Sequence, residues 1–242
     1  MIEQTRDVQS QNRLLQSLPS DVRKRLESDF EPVSLAAGEV IYQAYDSMSH
    51  VYFPTTSIVS LLYTMANGST AGMGLVGNDG VVGIAVFMGG NTTPSRAVVQ
   101  NAGGALRLKV KRFRDEIERV GELHRLLLLY TQALLTQMSQ SAVCNQLHSV
   151  EQRLCRSLLL SHDRHGSNEF DITQERIAGT LGVRREAVSV AAHRLQHEGL
   201  IRYRRGHMTI VDRVGLEAVV CECYQVVKAE CDRLLPYQVR RP

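Results

Sequence analysis

The spacing of apolar residues changes along the chain and separates three kinds of segment. Residues 1–30 carry apolar side chains at helical spacing: Leu14, Leu15, Leu18, Val22 and Leu26. Between about 33 and 109 the apolar residues form short runs separated by Gly, Asn, Asp and Pro, a pattern typical of antiparallel strands. The candidate strands are 40–42, 50–53, 58–63, 71–76, 97–99 and 106–110. This region is therefore predicted to form a small antiparallel barrel or sandwich.

A long helical segment follows, from about 113 to 145, with a break near Gly121. Its main apolar stripe has residues three and four positions apart, namely Leu123, Leu127, Tyr130, Leu134 and Met138. Further leucines extend the apolar surface to a second side: Leu126, Leu128, Leu129 and Leu135. A long helix that is apolar on two sides usually packs on its own domain and on a partner helix. We assign the main stripe to a homodimer interface; the alternative is a helix buried inside a monomer.

Four further helices and a hairpin are predicted after this segment. Ser149 and Gln152 can form a capping box for a helix over 148–161. Thr173 can cap the next helix, and Gly182 allows the chain to reverse into a third. Apolar residues at helical spacing give that third helix one buried face, formed by Val188, Ala191, Ala192 and Leu195. A last helix is predicted over 215–235.

The opposite face of the third helix carries Arg185, Glu186, Ser189, Val190 and His193. Two β-type runs follow, 201–203 and 208–211, around a cationic turn that contains Arg204, Arg205 and His207. A helix with an apolar back and polar groups at its N-terminal front suits a DNA major groove. A basic wing beside it supplies contacts to phosphates. The pattern predicts a DNA-binding winged helix.

Composition and charge are consistent with this prediction. The formal net charge of the 242 residues is +3, and the excess lies after residue 145, where 15 Lys and Arg face 12 Asp and Glu. No apolar run reaches membrane-spanning length, and the polar N-terminus lacks the apolar segment of a signal peptide. We therefore expect a cytoplasmic protein without a membrane partner. We expect no enzyme activity, because no nucleophile–base pair, phosphate loop or metal motif stands out.

The five cysteines are expected to be reduced thiols in this compartment. The first 143 residues contain no Cys, so an iron–sulfur cluster is not expected there. Cys144 and Cys155 are expected to be buried and inert. Cys221, Cys223 and Cys231 are assigned to the last helix, where residues two apart do not share a face. Cys221 and Cys223 therefore make a poor chelate unless the helix is broken, and we expect no metal site.

A β-roll, a long dimer helix and a winged helix, in that order, resemble the Crp/Fnr family of bacterial transcription regulators. The strongest similarity is the segment TQERIAGTLGVRREAVSVAAHRLQHEGLIRYRRGHMTIVD. The resemblance implies that Arg185 and Glu186 are the family's base-reading pair and that Ser189 is a frequent Ser one turn later. Val190 replaces a further base-reading Arg, and Arg184 replaces the usual small N-cap. The family's operator sequence is therefore not carried over to this chain.

The segment VGIAVFMGGNTTPSRAVVQ resembles, more loosely, the family's cyclic-nucleotide site. In that site a Gly-Glu turn holds the ribose hydroxyl, and an Arg followed by a small polar residue pairs with the cyclic phosphate. Gly83 and Arg96 match, whereas Ile84 replaces the Glu and Ala97 follows the Arg. The family's adenine-contacting hydroxyl pair on the long helix corresponds to Met138 and Ser139.

An Ile cannot accept the ribose hydrogen bond, and an unpaired hydroxyl lowers affinity. We therefore expect that cyclic AMP does not bind in the usual mode. Arg96 is expected either to hold another anion or to pair with a nearby carboxylate. The identity of an effector stays open, and no cofactor is identified.

The resemblance implies an α+β protein with three parts: a β-roll sensor domain over 1–112, a dimerisation helix over 113–145, and a winged helix-turn-helix with a C-terminal helix over 146–242. It implies a homodimer that binds double-stranded DNA and regulates transcription, with RNA polymerase as a partner if it is an activator. The alternative is a ligand-binding regulatory module whose winged helix contacts another protein.

Overall fold

The computed structural model describes residues 11–235 of the chain. Two short helices, α1 (Arg13–Gln16) and α2 (Ser20–Glu27), come first. The apolar residues that predicted helix here are buried: Leu14, Leu15, Leu18, Val22 and Leu26. The rest of that predicted helical segment, residues 1–10, lies outside the described residues.

Two antiparallel sheets form the β-roll. Their strands are β1 (Glu31–Leu35), β2 (Val40–Tyr42), β3 (His50–Pro54), β4 (Ile58–Thr64), β5 (Thr70–Val76), β6 (Arg96–Asn101) and β7 (Gly103–Lys109). One sheet has the order β1-β7-β3 and the other β2-β6-β4-β5. All six predicted strands are present. The prediction missed β1, because its sequence EPVSL has only two strongly apolar residues and a Pro.

The core of the β-roll lies between the sheets and two helices, α3 (Val110–Ile117) and α4 (Glu122–Leu147). Phe53 is fully buried, and its ring makes edge contacts with Phe30 and Phe113 at centroid distances of 5.6 and 6.3 Å. The predicted break between the two helices is confirmed, with Gly121 preceding α4.

The side of α4 that was assigned to a dimer interface faces the chain's own core. Leu123, Leu127, Tyr130 and Leu134 are all buried against the β-roll. Their assignment to an interface is therefore corrected, because side chains that fill an intramolecular core have no surface left for a partner. Met138 is different: it is half-buried and borders the outer surface.

The other apolar side of α4 is open to solvent. Leu128 and Leu135 are 54% and 56% exposed, and Ala142 is exposed as well. These three residues are seven positions apart, the repeat with which one helix meets another in a coiled coil. Half-buried Thr131 and Met138 lie between them, and half-buried His124 precedes Leu128, so that the whole set is spaced by alternating steps of four and three. The two-sided apolar character of the helix is thus confirmed: one side is buried in the core and the other is exposed. We call this set, His124 to Ala142, the outer stripe.

The C-terminal part is a winged helix-turn-helix. Its helices are α5 (Val150–His165), α6 (Gln174–Leu181) and α7 (Arg185–His197), and its strands are β8 (Glu169–Asp171), β9 (Ile201–Arg204) and β10 (His207–Ile210). The predicted capping box of Ser149 and Gln152 is present at the start of α5. That helix ends four residues later than predicted, at Gly166 in the left-handed conformation. Strand β10 lies between β8 and β9, and β8 was not predicted.

The chain after the wing contains two helices, α8 (Arg213–Val219) and α9 (Cys223–Leu234). The prediction of one continuous helix over this segment is wrong. Val220 has extended backbone angles (φ −68°, ψ 153°), so the helical hydrogen bonds are interrupted before Cys221. Among residues 11–235, no helix combines the length and the apolar character that crossing a membrane requires.

The winged helix packs directly on the β-roll. The Thr70 hydroxyl of β5 donates to the Gly179 carbonyl at 3.2 Å, and Arg176 donates to the Ala37 carbonyl at 3.1 Å. Arg164 of α5 pairs with Asp79 after β5 at 2.8 Å. Helix α6 therefore lies between the β-roll and α7, and α7 keeps one face open to solvent.

Candidate functional site

Local signals in the sequence fix the two helices of the helix-turn-helix. The Thr173 hydroxyl accepts from the Arg176 backbone N–H at 3.3 Å and so caps α6 as predicted. Gly182 follows α6 with φ +64°, a conformation that costs a side-chain-bearing residue energy. Arg184 precedes α7 without making a capping hydrogen bond, and its side chain is exposed.

Helix α7 has the two faces that its sequence predicts. Val188, Ala191, Ala192 and Leu195 are buried in the core of the winged helix. The opposite face is exposed and consists of Arg185, Glu186, Ser189, Val190 and His193. Val190 is 56% exposed, an apolar side chain in the middle of this polar face. The surface combines a guanidinium, a carboxylate, a hydroxyl and a methyl-bearing group within about two helical turns.

The wing is a tight hairpin with a basic tip. Arg204 and His207 are paired across β9 and β10, so the turn itself consists of Arg205 and Gly206. Both turn residues have positive φ, +50° and +85°, as a two-residue type I′ turn requires. The side chains of Arg204 and Arg205 are exposed. The turn is therefore shorter than the four-residue turn predicted, and it directs two adjacent guanidinium groups to solvent.

His207 at the base of the wing has a carboxylate partner. Its Nδ1 lies 2.8 Å from Oδ1 of Asp171, and its Nε2 lies 3.8 Å from Glu169. The hydrogen bond to Asp171 raises the pKa of His207, because the carboxylate stabilises the imidazolium. His207 is therefore exposed, but the carboxylates of β8 hold its ring in place.

The residues predicted to contact DNA all lie on the surface of the winged helix: Thr173, Arg184, Arg185, Glu186, Ser189, Val190, His193, Arg204, Arg205 and His207. Helix α7 and the wing are consecutive in the chain, and buried Leu200 lies in the short connection between them. Their role in binding DNA stays a prediction.

The β-roll contains a cavity of about 410 Å³ that opens beside α4. Of the predicted effector residues, Gly83, Ile84 and Met138 line it. The cavity wall is mainly apolar, with Leu61, Val81, Met88, Leu134 and Leu135 among its lining residues. None of the described residues that line it carries a charge. Thr131, Leu135 and Met138 belong both to this wall and to the outer stripe of α4.

Arg96, Ala97 and Ser139 do not line this cavity, and their assignment to it is corrected. Neighbouring residues on a strand point to opposite faces, and Ala97 is fully buried in the core of the β-roll. Arg96 therefore points out of the roll, into a cleft of about 240 Å³ that Glu175 and Arg176 of the winged helix also line. Ser139 is exposed on α4, outside the cavity lining.

The polar groups of the cavity come from residues that the sequence did not single out. Tyr42 and Tyr63 contribute rings, and the segment before β6 contributes Thr92, Thr93 and Ser95. The Thr93 and Ser95 hydroxyls lie 3.1 Å apart. Burial raises the pKa of Tyr42 to about 12, so its hydroxyl stays protonated and can donate or accept a hydrogen bond. The sequence signal for these hydroxyls is the polar run Asn-Thr-Thr-Pro-Ser immediately before β6.

Two family models match the sequence. One, a cyclic nucleotide-binding domain, covers residues 32–120, and the other, a Crp-like helix-turn-helix domain, covers residues 152–219. No curated protein matches the chain in a sequence search.

Solved structures with the same fold include three bacterial proteins. FixK2 from Bradyrhizobium japonicum is 17% identical, with a TM-score of 0.66 over 79% of this chain and 98% of that one. A protein from Eubacterium rectale that is assigned to the Crp/Fnr family is 18% identical, with a TM-score of 0.61 over 85% and 96%. CLP from Xanthomonas campestris, a c-di-GMP responsive global regulator, is 14% identical, with a TM-score of 0.59 over 79% and 99%.

Proposed function

The chain belongs to the Crp/Fnr family of transcription regulators, and on that premise we propose that it acts as a homodimer on a two-fold DNA site. The observation that carries the proposal is the exposed surface of α7 with the arginine-tipped wing beside it. A dimer of winged helices binds half-sites separated by about 34 Å, one turn of DNA. As a DNA-binding regulator the protein works in the cytoplasm and needs no catalytic activity.

The residues of α7 and of the wing divide into those that contact bases and specify the DNA sequence and those that contact phosphates and position the protein. Arg185 can donate two hydrogen bonds to a guanine, and Glu186 can accept one from a cytosine. Val190 offers only apolar contact, which suits a thymine methyl group. Arg184, Arg204 and Arg205 are exposed guanidinium groups at the ends of this surface and suit phosphates. The half-site should therefore differ from those read by family members that carry an Arg in place of Val190.

The outer stripe of α4 is the surface that we assign to the homodimer. Leu128 and Leu135 are large apolar side chains with more than half of their surface exposed, and they lie on the same face of α4. Exposed apolar patches of this kind mark sites of protein association. Their heptad spacing with Ala142 fits the same stripe of a second copy. Because Thr131, Leu135 and Met138 also line the β-roll cavity, a ligand there would touch the dimer helix directly.

An effector of this protein should be uncharged and mainly apolar. A cyclic nucleotide brings a phosphate charge, and burying an unpaired charge is costly. The described cavity lining offers hydroxyls but no cation, and Ile84 cannot accept a ribose hydroxyl. Cyclic AMP therefore does not bind in the family's usual mode. A neutral ligand of the cavity's size, with one or two hydroxyl or carbonyl groups facing Tyr42 and Ser95, fits the lining.

Fluorescence anisotropy with fragmented genomic DNA of the source organism tests the main proposal. The purified protein should select a small set of fragments that share an inverted repeat, and its affinity should fall steeply as salt increases. Absent binding, or binding that salt does not weaken, would refute it. Calorimetry with cyclic AMP tests whether the cavity excludes a charged ligand: saturable heat at a single site would overturn this part of the proposal.

A second candidate function is contact with another protein through the winged helix, with exposed Val190 as the observation that favours it. It predicts that Val190→Ala weakens capture of a protein partner and leaves DNA affinity unchanged. If the protein is an activator, RNA polymerase is the expected additional partner.

A further inference from the structure

Four side chains with metal-ligating atoms meet where α4 ends. Cys144 lies in the last turn of α4 and His148 immediately follows that helix. Cys221 lies between α8 and α9, and Cys223 is the first residue of α9. One ligand atom from each of the four residues lies within 4.8 Å of all the others. The three cysteines are buried and the histidine is half-buried.

The distances in this cluster match a tetrahedral zinc site. The Sγ atoms of Cys144 and Cys221 are 3.6 Å apart, and Sγ of Cys223 is 3.6 Å from Nδ1 of His148. A tetrahedron with Zn–S bonds of about 2.3 Å and a Zn–N bond of about 2.1 Å has edges of about 3.6 to 3.8 Å. A disulfide would need an S–S distance of about 2.05 Å. These two separations therefore have the length that a shared central ion imposes, and all four ligand atoms lie within 4.8 Å of one another.

The broken helix is what allows Cys221 and Cys223 to act together. Residues two apart on one helix point in different directions. Here Val220 is extended, and the Cys221 carbonyl accepts from the Tyr224 N–H at 3.2 Å at the start of the next helix. Cys221 therefore precedes α9, whereas Cys223 belongs to it, and both thiols reach the end of α4.

The surroundings of the cluster also suit a metal. Nε2 of His148 lies 3.3 Å from a carboxylate oxygen of Glu222, which can hold the ring with Nδ1 towards the sulfurs. A carboxylate on the second nitrogen is the usual partner of a metal-bound histidine. The buried guanidinium of Arg156 interacts electrostatically with all three cysteines. Three thiolates, one neutral histidine and Zn²⁺ carry a net charge of −1, which this arginine would offset.

We propose that Cys144, His148, Cys221 and Cys223 form a structural zinc site. Thiolate and imidazole ligands in a tetrahedral arrangement select Zn²⁺ over harder cations, and four protein ligands leave no open position for catalysis. The ion joins the end of α4 to the segment that follows the wing. It thereby fixes how the winged helix is mounted on the helix that carries the outer stripe. The site is independent of the proposed effector cavity and of any DNA sequence.

Metal analysis of the full-length, tag-free protein tests the proposal. Protein purified under reducing conditions should contain one zinc per chain by plasma mass spectrometry. After exchange, Co²⁺ should give the intense visible bands of a tetrahedral site and a thiolate charge-transfer band in the near ultraviolet. Cys223→Ser and His148→Ala should lower zinc content and change the Co²⁺ spectrum. Cys231→Ser, a cysteine on α9 outside the cluster, should keep both.

Two measurements on the wild-type protein test the proposal even if the variants fail to fold. Zinc released by a thiol-reactive mercurial should then equal one per chain, and chelation should lower the thermal midpoint of the whole protein. The proposal is overturned if the wild type stays far below one equivalent of zinc after anaerobic reconstitution. It is also overturned if Co²⁺ binds without a thiolate band, or if Cys144 and Cys221 are found joined as a disulfide in metal-free protein from the reduced preparation.

Discussion

Arg164 and Asp79 form an ion pair across the boundary between the winged helix and the β-roll. Nε of Arg164 lies 2.8 Å from Oδ2 of Asp79, and the two side chains are only 6% and 14% exposed. The guanidinium also donates to Oε1 of Gln137 on α4 at 2.8 Å and to the Leu160 carbonyl at 3.2 Å. One side chain of α5 thus joins both domains and the helix between them, so the domain boundary has a defined geometry.

Asp79→Asn should lower the free energy of unfolding by about 3 kcal/mol, because it leaves the buried Arg164 charge without its counter-ion. Urea denaturation followed by circular dichroism measures this. Asp21→Asn is the matched control, since Asp21 pairs with Arg25 at 2.9 Å on the surface, where solvent screens the charges. It should leave the unfolding midpoint unchanged. An equal decrease in the free energy of unfolding in both variants would show that the buried Arg164–Asp79 pair stabilises the fold no more than a surface pair does.

Arg185→Ala should lower affinity for the preferred DNA site about ten- to hundredfold and leave affinity for unrelated DNA unchanged. The reason is that a base contact contributes only where the correct base is present. Arg205→Ala should instead weaken binding to every sequence and reduce the slope of log affinity against log salt by about one. Anisotropy titrations on one selected and one scrambled duplex separate the two effects. If both variants lose affinity in the same way on both duplexes, the division of roles between α7 and the wing is wrong.

Leu128→Lys combined with Leu135→Lys should convert the protein to a monomer and reduce its affinity for a two-fold DNA site. Charges on the outer stripe oppose the burial of that surface against a second copy. Sedimentation velocity measures the oligomeric state. Met65→Lys is the control, because Met65 is 63% exposed and belongs to the turn between β4 and β5, not to the outer stripe. A wild type that sediments as a monomer at every concentration would refute the assigned interface.

Asp171→Asn should lower the pKa of His207 towards the ordinary value of about 6.5. In the wild type the pKa is raised, so the Asp171–His207 pair stabilises the folded wing fully below the ordinary histidine pKa. That contribution is lost as the pH rises through the raised value. Histidine NMR titration of both proteins measures the change in the pKa of His207. An unchanged His207 titration would show that the 2.8 Å contact is not populated in solution.

The sequence alone predicted those features that depend on neighbouring residues. Helical spacing of Val188, Ala191, Ala192 and Leu195 defined the buried face of α7, and the structure confirms it. The capping box at Ser149 and the turn at Gly182 were predicted for the same reason, and both are present. Capping and amphipathic spacing act within a few residues, so they can be recognised without knowing the fold.

The sides of α4 could not be assigned in this way. Periodicity showed that the helix has two apolar sides, but both Leu127 and Leu128 satisfy it. Only the position of the β-roll sheets decides that Leu127 is buried in the core and that Leu128 is left open. The orientation of Arg96 was decided similarly, by the alternation of β6 with Ala97 inside the roll.

What the sequence determined by itself, then, is the order of the main elements and the polar surface of α7, because these follow from local spacing and residue type. What only the tertiary structure decided is which distant residues meet. Cys144 and Cys221 are 77 positions apart, yet their sulfurs lie 3.6 Å from each other. Their approach depends on the break at Val220 and on the packing of α9 against α4, and no repeat or spacing in the chain encodes it.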